Sequence, residues 1–234
     1  KVSVILLNWN GVDLLKKYFH SLLNQEFENF EIIFFDNNSK DDSINYIKKF
    51  KSTKKYKLRI YKNSKNDGTA KASNLAAKYA KGEYIFFVSN DMLFDRKLLK
   101  HLYDYMKNKK EIGIATVKML RHVNGKKTNI IDSMGANIDF LCCASSINIH
   151  KNIKNVIDSN KEIFFAFGGA TFIKKEIFNK ARGFDERFFT LTDDIDLCWR
   201  VQILGYKVYY INKGKIFHRV SGTLGKTHNR HIKR

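Results

Sequence analysis

Apolar runs and helical periodicities alternate along the first half of the chain. Val2–Leu7 is a continuous, β-branched apolar run, which predicts a strand buried on both faces. Val12–Leu23 then carries apolar residues at helical spacing. Glu31–Phe35 predicts a second buried strand, followed by a helix over Asp42–Phe50 with Asp41 as its N-cap. Leu58–Tyr61 reads as a short strand, Thr69–Lys81 as a helix stopped by Gly82, Tyr84–Val88 as a fourth strand and Leu98–Met106 as a further helix. This alternation predicts a parallel sheet with helices on both faces. The second half is less regular. Ile112–Met119 and Ala136–Ile149 read as strands around a loop, and Ala170–Ile173 as a strand running into the helix Lys175–Ala181. Asp194–Leu204 is a helix ended by Gly205, with strands expected at Lys207–Ile211 and Lys215–His218. No linker, repeat or low-complexity segment divides the chain, so one α/β domain is expected over 1–234.

Polar residues fall where these strands stop. Asn8 and Asn10 follow the first, Asp36–Asn38 the second, and Asn90–Asp91 the fourth. Ligands of open α/β sheets bind at the carboxyl ends of the strands, so these residues are expected to line one shared crevice. Taken singly, each is equally an ordinary cap or turn residue; the joint pattern points to a site. No Gly-x-Gly-x-x-Gly follows the first strand and no Gly-x-x-x-x-Gly-Lys-Ser/Thr occurs. That argues against dinucleotide and P-loop binding. A nucleotidyltransferase is disfavoured too, because Asn8-Trp9-Asn10-Gly11 stands where a Gly-rich basic loop is expected.

Charge adds a partner question. The 234 residues hold 43 Lys+Arg against 23 Asp+Glu, a formal net charge of +20. Such a surface attracts polyanions. The lysines are scattered, apart from patches at Lys48–Lys57 and Lys226–Arg234. Two readings stay open: a solvated Lys-rich surface, or attraction to an anionic membrane surface. A nucleic-acid-binding protein is the competing class, but strand-end carboxylates repel phosphates unless a metal intervenes. Specific nucleic-acid binding is therefore not expected. Cys142, Cys143 and Cys198 form neither a disulfide framework nor a Cys-x-x-Cys metal spacing, which fits a reducing compartment. No stretch approaches the ~20 apolar residues of a membrane span, and no signal-peptide pattern precedes the first strand. A cytoplasmic protein is expected, with a peripheral position at the inner face of the cell membrane as the companion expectation.

The ordered motifs resemble family 2 glycosyltransferases, the inverting enzymes of the GT-A fold. Ser3-Val4-Ile5-Leu6-Leu7-Asn8-Trp9-Asn10-Gly11 is similar to their opening strand and turn, and Asp36-Asn37-Asn38-Ser39-Lys40-Asp41 to their second-strand motif. Asn66-Asp67-Gly68 with Ala72 and Asn74 resembles their Asn-x-Gly…Ala-x-Asn segment. Lys81-Gly82-Glu83-Tyr84-Ile85 leads to Ser89-Asn90-Asp91, similar to the metal-binding Asp-x-Asp. Gly168-Gly169-Ala170 resembles the acceptor-side strand. Gly183-Phe184-Asp185-Glu186 precedes Asp193-Asp194-Ile195-Asp196-Leu197-Cys198-Trp199-Arg200, and Gly205-Tyr206-Lys207-Val208 precedes Phe217-His218. The Asn-Trp-Asn-Gly and Asp-Leu-Cys-Trp-Arg wording is shared with the rhamnosyltransferase-like branch. The resemblance covers essentially the whole chain.

The resemblance implies a Rossmann-like, mostly parallel central sheet with helices on both faces and a smaller mixed sheet in the C-terminal half. It implies a nucleotide-sugar-binding half at 1–110 and an acceptor-binding, catalytic half at 111–234. A UDP- or dTDP-sugar donor is implied, held by Asn8, Asn10, Asp36, Asn38, Asn66, Gly68, Asn74, Asn90, Asp91 and Lys226, with Asp36 accepting from the pyrimidine N–H. A divalent cation, Mg²⁺ or Mn²⁺, would bridge the diphosphate on Asp91, with His218 as second ligand or phosphate contact. His218 is otherwise a strand-end histidine bonded to a neighbour, and Asn66–Gly68 a plain turn. Asp194 takes the position of the base, with Asp193 where a Glu is more usual; capping of the following helix is the alternative role for either. Gly168, Gly169, Trp199 and Arg200 are the acceptor-side candidates. The acceptor is expected to be a glycan or a polyprenyl-diphosphate-linked glycan. The absence of a Gln-x-x-Arg-Trp motif implies one sugar per encounter, and Ser221–Lys226 resembles a loop closing over the diphosphate. An inactive, scaffold-like relative is disfavoured by retention of Asp36, Asp91, Asp194 and His218.

Overall fold

A computed structural model describes residues 1–141 and 143–219. Strand and helix alternate as the sequence predicts: β1 (Val2–Asn8), α1 (Val12–Leu23), β2 (Phe30–Asp36), α2 (Ser43–Lys48), β3 (Tyr56–Lys62), α3 (Gly68–Ala77) and β4 (Tyr84–Ser89). A short β5 (Met92–Phe94) and α4 (Leu98–Met106) close the first half. The second half holds β6 (Ile112–Val123), β7 (Lys126–Ser133), β8 (Ala136–Ile138), β9 (Ala144–Ser146), β10 (Lys161–Ile163), β11 (Ala170–Lys174), α5 (Lys175–Lys180), α6 (Asp193–Ile203) and β12 (Lys207–His218).

Ten strands form one sheet in the order β10-β12-β6-β11-β4-β1-β2-β3, with β5 on β12 and β7 on β6. β3, β2, β1 and β4 run parallel. β11 enters antiparallel between β4 and β6, so the C-terminal strands extend the same sheet as its mixed part. A separate two-stranded antiparallel sheet pairs β8 with β9. The sheet is covered on both sides. Leu15 and Phe19 of α1, Ile47 of α2 and Leu98 and Leu102 of α4 pack with Val4, Leu6, Ile32 and Phe34. Ala72 and Ala76 of α3, Ile177 of α5 and Leu197 and Val201 of α6 pack with Ile5, Ile33 and Phe87. Successive residues of one strand thus feed opposite layers, which is why β1 and β2 read as unbroken apolar runs.

Several local features differ from the sequence expectation: β5, β7 and β10 are additional strands. Residues 136–149 hold two short strands around a turn instead of one long strand. The two strands expected at 207–211 and 215–218 are one strand, β12, whose pairing with β6 slips between Ile211 and Lys215. Asp41 does not cap α2 as its Ncap residue; Asp42 occupies that position. The Asp41 carboxylate instead accepts from Val12 N at 2.8 Å and Ser43 N at 3.1 Å, serving the first turns of α1 and α2 together.

The amino ends of the parallel strands are tied by Glu31, which is fully buried. Its carboxylate accepts from Ser3 Oγ at 2.6 Å and Lys81 N at 2.7 Å, and Arg59 Nη2 lies 2.9 Å away. Ser3 Oγ in turn accepts from Gly82 N at 2.8 Å. A buried carboxylate is tolerated only when paired in this way. Glu31→Ala is expected to lower the stability to chemical denaturation by about 3 kcal/mol, because Arg59 and the Lys81 amide lose their partner. The denaturant midpoint should fall with an unchanged slope.

Candidate active site

The carboxyl ends of β1, β2 and β4 finish level, with Asn8 opposite Asp36 and Leu7 opposite Ser89. Asn8 joins them. Its amide donates to Asp36 Oδ1 at 3.1 Å and Ser39 Oγ at 3.2 Å, and its carbonyl oxygen accepts from Asn90 Nδ2 at 2.7 Å. Asp36 also accepts from Ser39 N at 2.8 Å and Ser39 Oγ at 2.6 Å. A Cβ on Gly11 would stand 2.1 Å from Asn90 Nδ2 and 2.4 Å from Asn8 Oδ1, so a larger residue here displaces the Asn8–Asn90 hydrogen bond. Asn10 and Asn38 adopt left-handed φ of 47° and 64°, a region asparagine tolerates. Asn10 donates its amide to Ser39 Oγ and accepts from Lys40 N, zipping the two loops together.

The loop before α3 is built on Asn37. Its amide donates to Asn66 Oδ1 at 2.8 Å and to the Gly68 carbonyl at 3.0 Å; its oxygen accepts from Asn63 Nδ2 and Asp67 N. Asn66 Oδ1 also accepts from Gly68 N at 3.0 Å. Asn74, on α3, is turned away from these loops. It donates to the Phe184 carbonyl at 2.9 Å and to Glu186 Oε1, and accepts from Phe184 N at 2.9 Å. In this structure it tethers the 183–186 segment.

A cavity of about 630 Å³ opens beyond β4 and β11, within the range of small-molecule sites. Gly168, Gly169, Asp193, Asp194 and His218 line it. The other strand-end residues expected along one crevice do not. Asn8, Asp36, Asn90 and Asp91 are buried, with their side chains directed at one another or at His218, because buried polar groups must find partners. Asp36 has no exposed surface, so a pyrimidine N–H reaches it only by displacing Asn8 or Ser39.

Asp193 and Asp194 open α6. Asp194 accepts from Gly168 N at 2.8 Å and Ile195 N at 2.9 Å. Burial raises its pKa; the Gly168 and Ile195 amides pull the other way, the Asp193 charge adds to the rise, and the carboxyl is pushed up to about 6. Asp193 accepts from Thr69 Oγ1 at 3.2 Å and is likewise raised by burial. Leu191 and Thr192, just before the pair, both have positive φ. Trp199 and Arg200 do not line the cavity. Trp199 lies one turn beyond Ile195, about 6 Å further along the helix, and Arg200 lies one turn beyond Asp196. Trp199 packs edge-on against Phe164, and Arg200 pairs with Asp196 at 3.0 Å and reaches the Ala181 carbonyl.

His218, at the end of β12, lies between two carboxylates. Nδ1 is 2.7 Å from Asp132 Oδ2, and Nε2 is 3.6 Å from Asp91 Oδ2. Burial pulls the imidazole pKa down, but the hydrogen bonds and charges of Asp132 and Asp91 outweigh it and hold His218 up to about 9. Asp132 is the cleft residue that the sequence reading misses. The usable signal was the Asn124-Gly125 hairpin turn, with φ of 48° and 75°, which returns β7 along β6.

Among the described residues no group of three or more His, Cys, Asp or Glu side chains can hold a metal ion. A cation carrying a diphosphate needs only one or two protein ligands. Two donors each about 2.1 Å from a shared ion can stand no more than about 4.2 Å apart. Asp91 Oδ2 and His218 Nε2, at 3.6 Å, satisfy that limit. The carboxylate suits Mn²⁺ or Mg²⁺ and the imidazole favours the softer Mn²⁺ of the two; phosphate and water would supply the remaining ligands. Lys226 and the Ser221–Lys226 loop lie outside the described residues.

Comparison with known proteins gives this geometry a context. Over 183 residues the chain is 32% identical to the poly(ribitol-phosphate) beta-N-acetylglucosaminyltransferase TarP of Staphylococcus aureus, covering 71% of this chain and 53% of TarP. It thus spans about half the length of that relative. It is 27% identical to the glycosyltransferase GlyG of Streptococcus pneumoniae over 97% of this chain and 73% of GlyG. Among solved structures, S. aureus TarS superposes with a TM-score of 0.68 at 20% identity, over 94% of this chain and 61% of that one. The mannosyltransferase PcManGT from Pyrobaculum calidifontis, in complex with GDP-Man and Mn²⁺, superposes with a TM-score of 0.71 at 18% identity, over 99% and 59%. These likenesses establish the GT-A fold. The family model for glycosyl transferase family 2 matches residues 3–182, from β1 through α5. Matched over most of its length by that model, this chain belongs to glycosyl transferase family 2.

Proposed function

We propose that this chain is an inverting, metal-dependent, non-processive glycosyltransferase domain. It moves a sugar from a UDP- or dTDP-sugar to a hydroxyl of a glycan or lipid-linked acceptor. The observation that carries the reading is that Asp194, with its raised pKa, and His218 line one cavity of about 630 Å³, with Asp91 buried behind His218 at 3.6 Å.

In an inverting transfer the acceptor hydroxyl attacks the anomeric carbon opposite the leaving diphosphate, and a carboxylate takes its proton. Asp194 is fitted to that task. The Gly168 and Ile195 amides hold its carboxylate in one orientation. A pKa of about 6 leaves it ionised at neutral pH yet more basic than an exposed carboxylate. Asp193, held by Thr69, places a second negative charge beside Asp194 that adds to the rise of its pKa. A divalent cation, when bound, supplies charge neutralisation for the departing diphosphate. Asp91 and His218 would hold it; His218 must give up its Nε2 proton to do so, and as an imidazolium it makes a direct phosphate contact instead. Asn8, Asn37 and Asn66 keep the donor-side loops in shape. The name of TarP speaks of a poly(ribitol-phosphate) polymer; a phosphate-bearing acceptor of that kind, or a lipid-diphosphate-linked one, suits a chain of net charge +20. No helix among the described residues is long and apolar enough to cross a membrane.

Calorimetric titration of UDP and dTDP, each with and without Mn²⁺, tests the donor site. Metal-dependent binding that Asp91→Ala abolishes is the expected result; a folded protein that binds neither diphosphate would move a scaffold role to the front. Asp194→Asn should lower kcat/KM about 100- to 10,000-fold while leaving diphosphate affinity within a few fold. The pH profile gives a separate check. The base must be ionised to accept a proton, so kcat/KM is expected to fall as pH drops through about 6 and to level off above it. A flat profile between pH 5 and 7, measured under kcat/KM conditions (about one unit either side of that value), would remove Asp194 from the role.

A further inference from the structure

Two irregularities in the sheet converge on His218. The first is in β12: its pairing with β6 slips between Ile211 and Lys215, after which His218 stands opposite Arg121. The second is in β7. Leu120 of β6 pairs with Ile131, while the adjacent Met119 pairs with Ser133. Asp132 is therefore the extra residue of a β-bulge, a device that re-aims a side chain out of regular alternation. Its neighbours Ile131 and Ser133 are buried, and its own carboxylate lines the cavity. One carboxylate oxygen lies 2.7 Å from His218 Nδ1; the other is 3.7 Å from Arg121 Nε. Asp132 thus spans the two cross-strand partners Arg121 and His218.

We propose that Asp132 is a positioning residue for the donor site: by fixing Nδ1–H of His218, it directs Nε2 at Asp91 and at the cation and diphosphate held there. The inference rests on the donor-site reading of Asp91 and His218 given above. Its physical basis is that an imidazole has two nitrogens, and a strong partner on one sets the ring orientation of the other. The 2.7 Å contact is of charge-assisted length. Without Asp132 the ring can rotate about its side-chain torsions, and Nε2 loses its fixed approach to Asp91. Residues 86 apart in sequence are thereby made one unit.

The test is calorimetric affinity for Mn²⁺ with UDP, or with dTDP if the wild type prefers it, across Asp132→Ala, Asp132→Asn, His218→Ala and the double variant D132A/H218A. Thermal melts monitor the fold of each. Asp132→Ala is expected to weaken metal-dependent diphosphate binding about 10- to 100-fold, the range for partners behind a metal ligand. Asp132→Asn should recover most of the loss, since its amide oxygen still accepts from Nδ1–H. The double variant should bind no more weakly than His218→Ala alone, because the two side chains act as one. Wild-type affinity in Asp132→Ala, or losses that add in the double variant, would overturn the inference while leaving the donor site intact. Failure of the wild type itself to bind either diphosphate with Mn²⁺ would overturn the donor-site reading, and this inference with it.

Discussion

The amide of Asn8 joins three strand ends, and the rest of the cleft is arranged around that junction. Each of its polar atoms is used: the nitrogen for Asp36 and Ser39, the oxygen for Asn90. A buried amide with an unfilled partner costs about 1–3 kcal/mol, so any shift of β1, β2 or β4 relative to the others is penalised here at once. The level strand ends fix where β4 hands over to Asn90 and Asp91, and hence where His218 of β12 meets them. At the far end of the same strands Glu31 does the corresponding work with Ser3, Arg59 and Lys81. The apolar layers between these two polar clamps supply most of the folding energy; the clamps determine register.

Charge is distributed against the composition. The chain carries +20, yet the titratable side chains described at the cavity are mainly carboxylates: Asp132, Asp193 and Asp194, with Asp91 behind His218. Asp194 is held at a pKa of about 6, while the imidazole between Asp91 and Asp132 is raised to about 9 by their hydrogen bonds and charges. An acidic floor in a basic protein favours ligands that bring a cation with their phosphates, and it repels bare polyanions from the reacting centre.

The first half of the fold was legible because it obeys simple periodicities. β1, β2 and β4 are buried on both faces and read as unbroken apolar runs; α1 and α4 show their spacing directly. The strand-end residues were legible as a group, though their orientation was not. Composition marks a polar residue at a strand end but cannot say whether it faces solvent or a neighbour, and Asn74 and Asp36 turned to neighbours. Trp199 and Arg200 stand off the cavity wall because they lie a turn further along α6 than the residues that line it. Asp132 was invisible to alternation because a bulge is a departure from alternation. The β6–β7 hairpin itself was within reach through Asn124-Gly125.

The Asp41 carboxylate, shared between the first turns of α1 and α2, ties the lengths of two loops together. Asn10 and Ser39 add a second rung to the same ladder. An inserted residue in either loop would pull one helix start away from the common anion and strand an amide. Length changes there must come in compensating pairs. The hairpin at 124–125 stands in open space, where a Cβ on Gly125 would meet nothing within 4 Å. Insertion is therefore closed in these two linked loops and open at the 124–125 hairpin, so a frame of fixed length at the ends of β1 and β2 can coexist with a variable rim elsewhere on the same sheet.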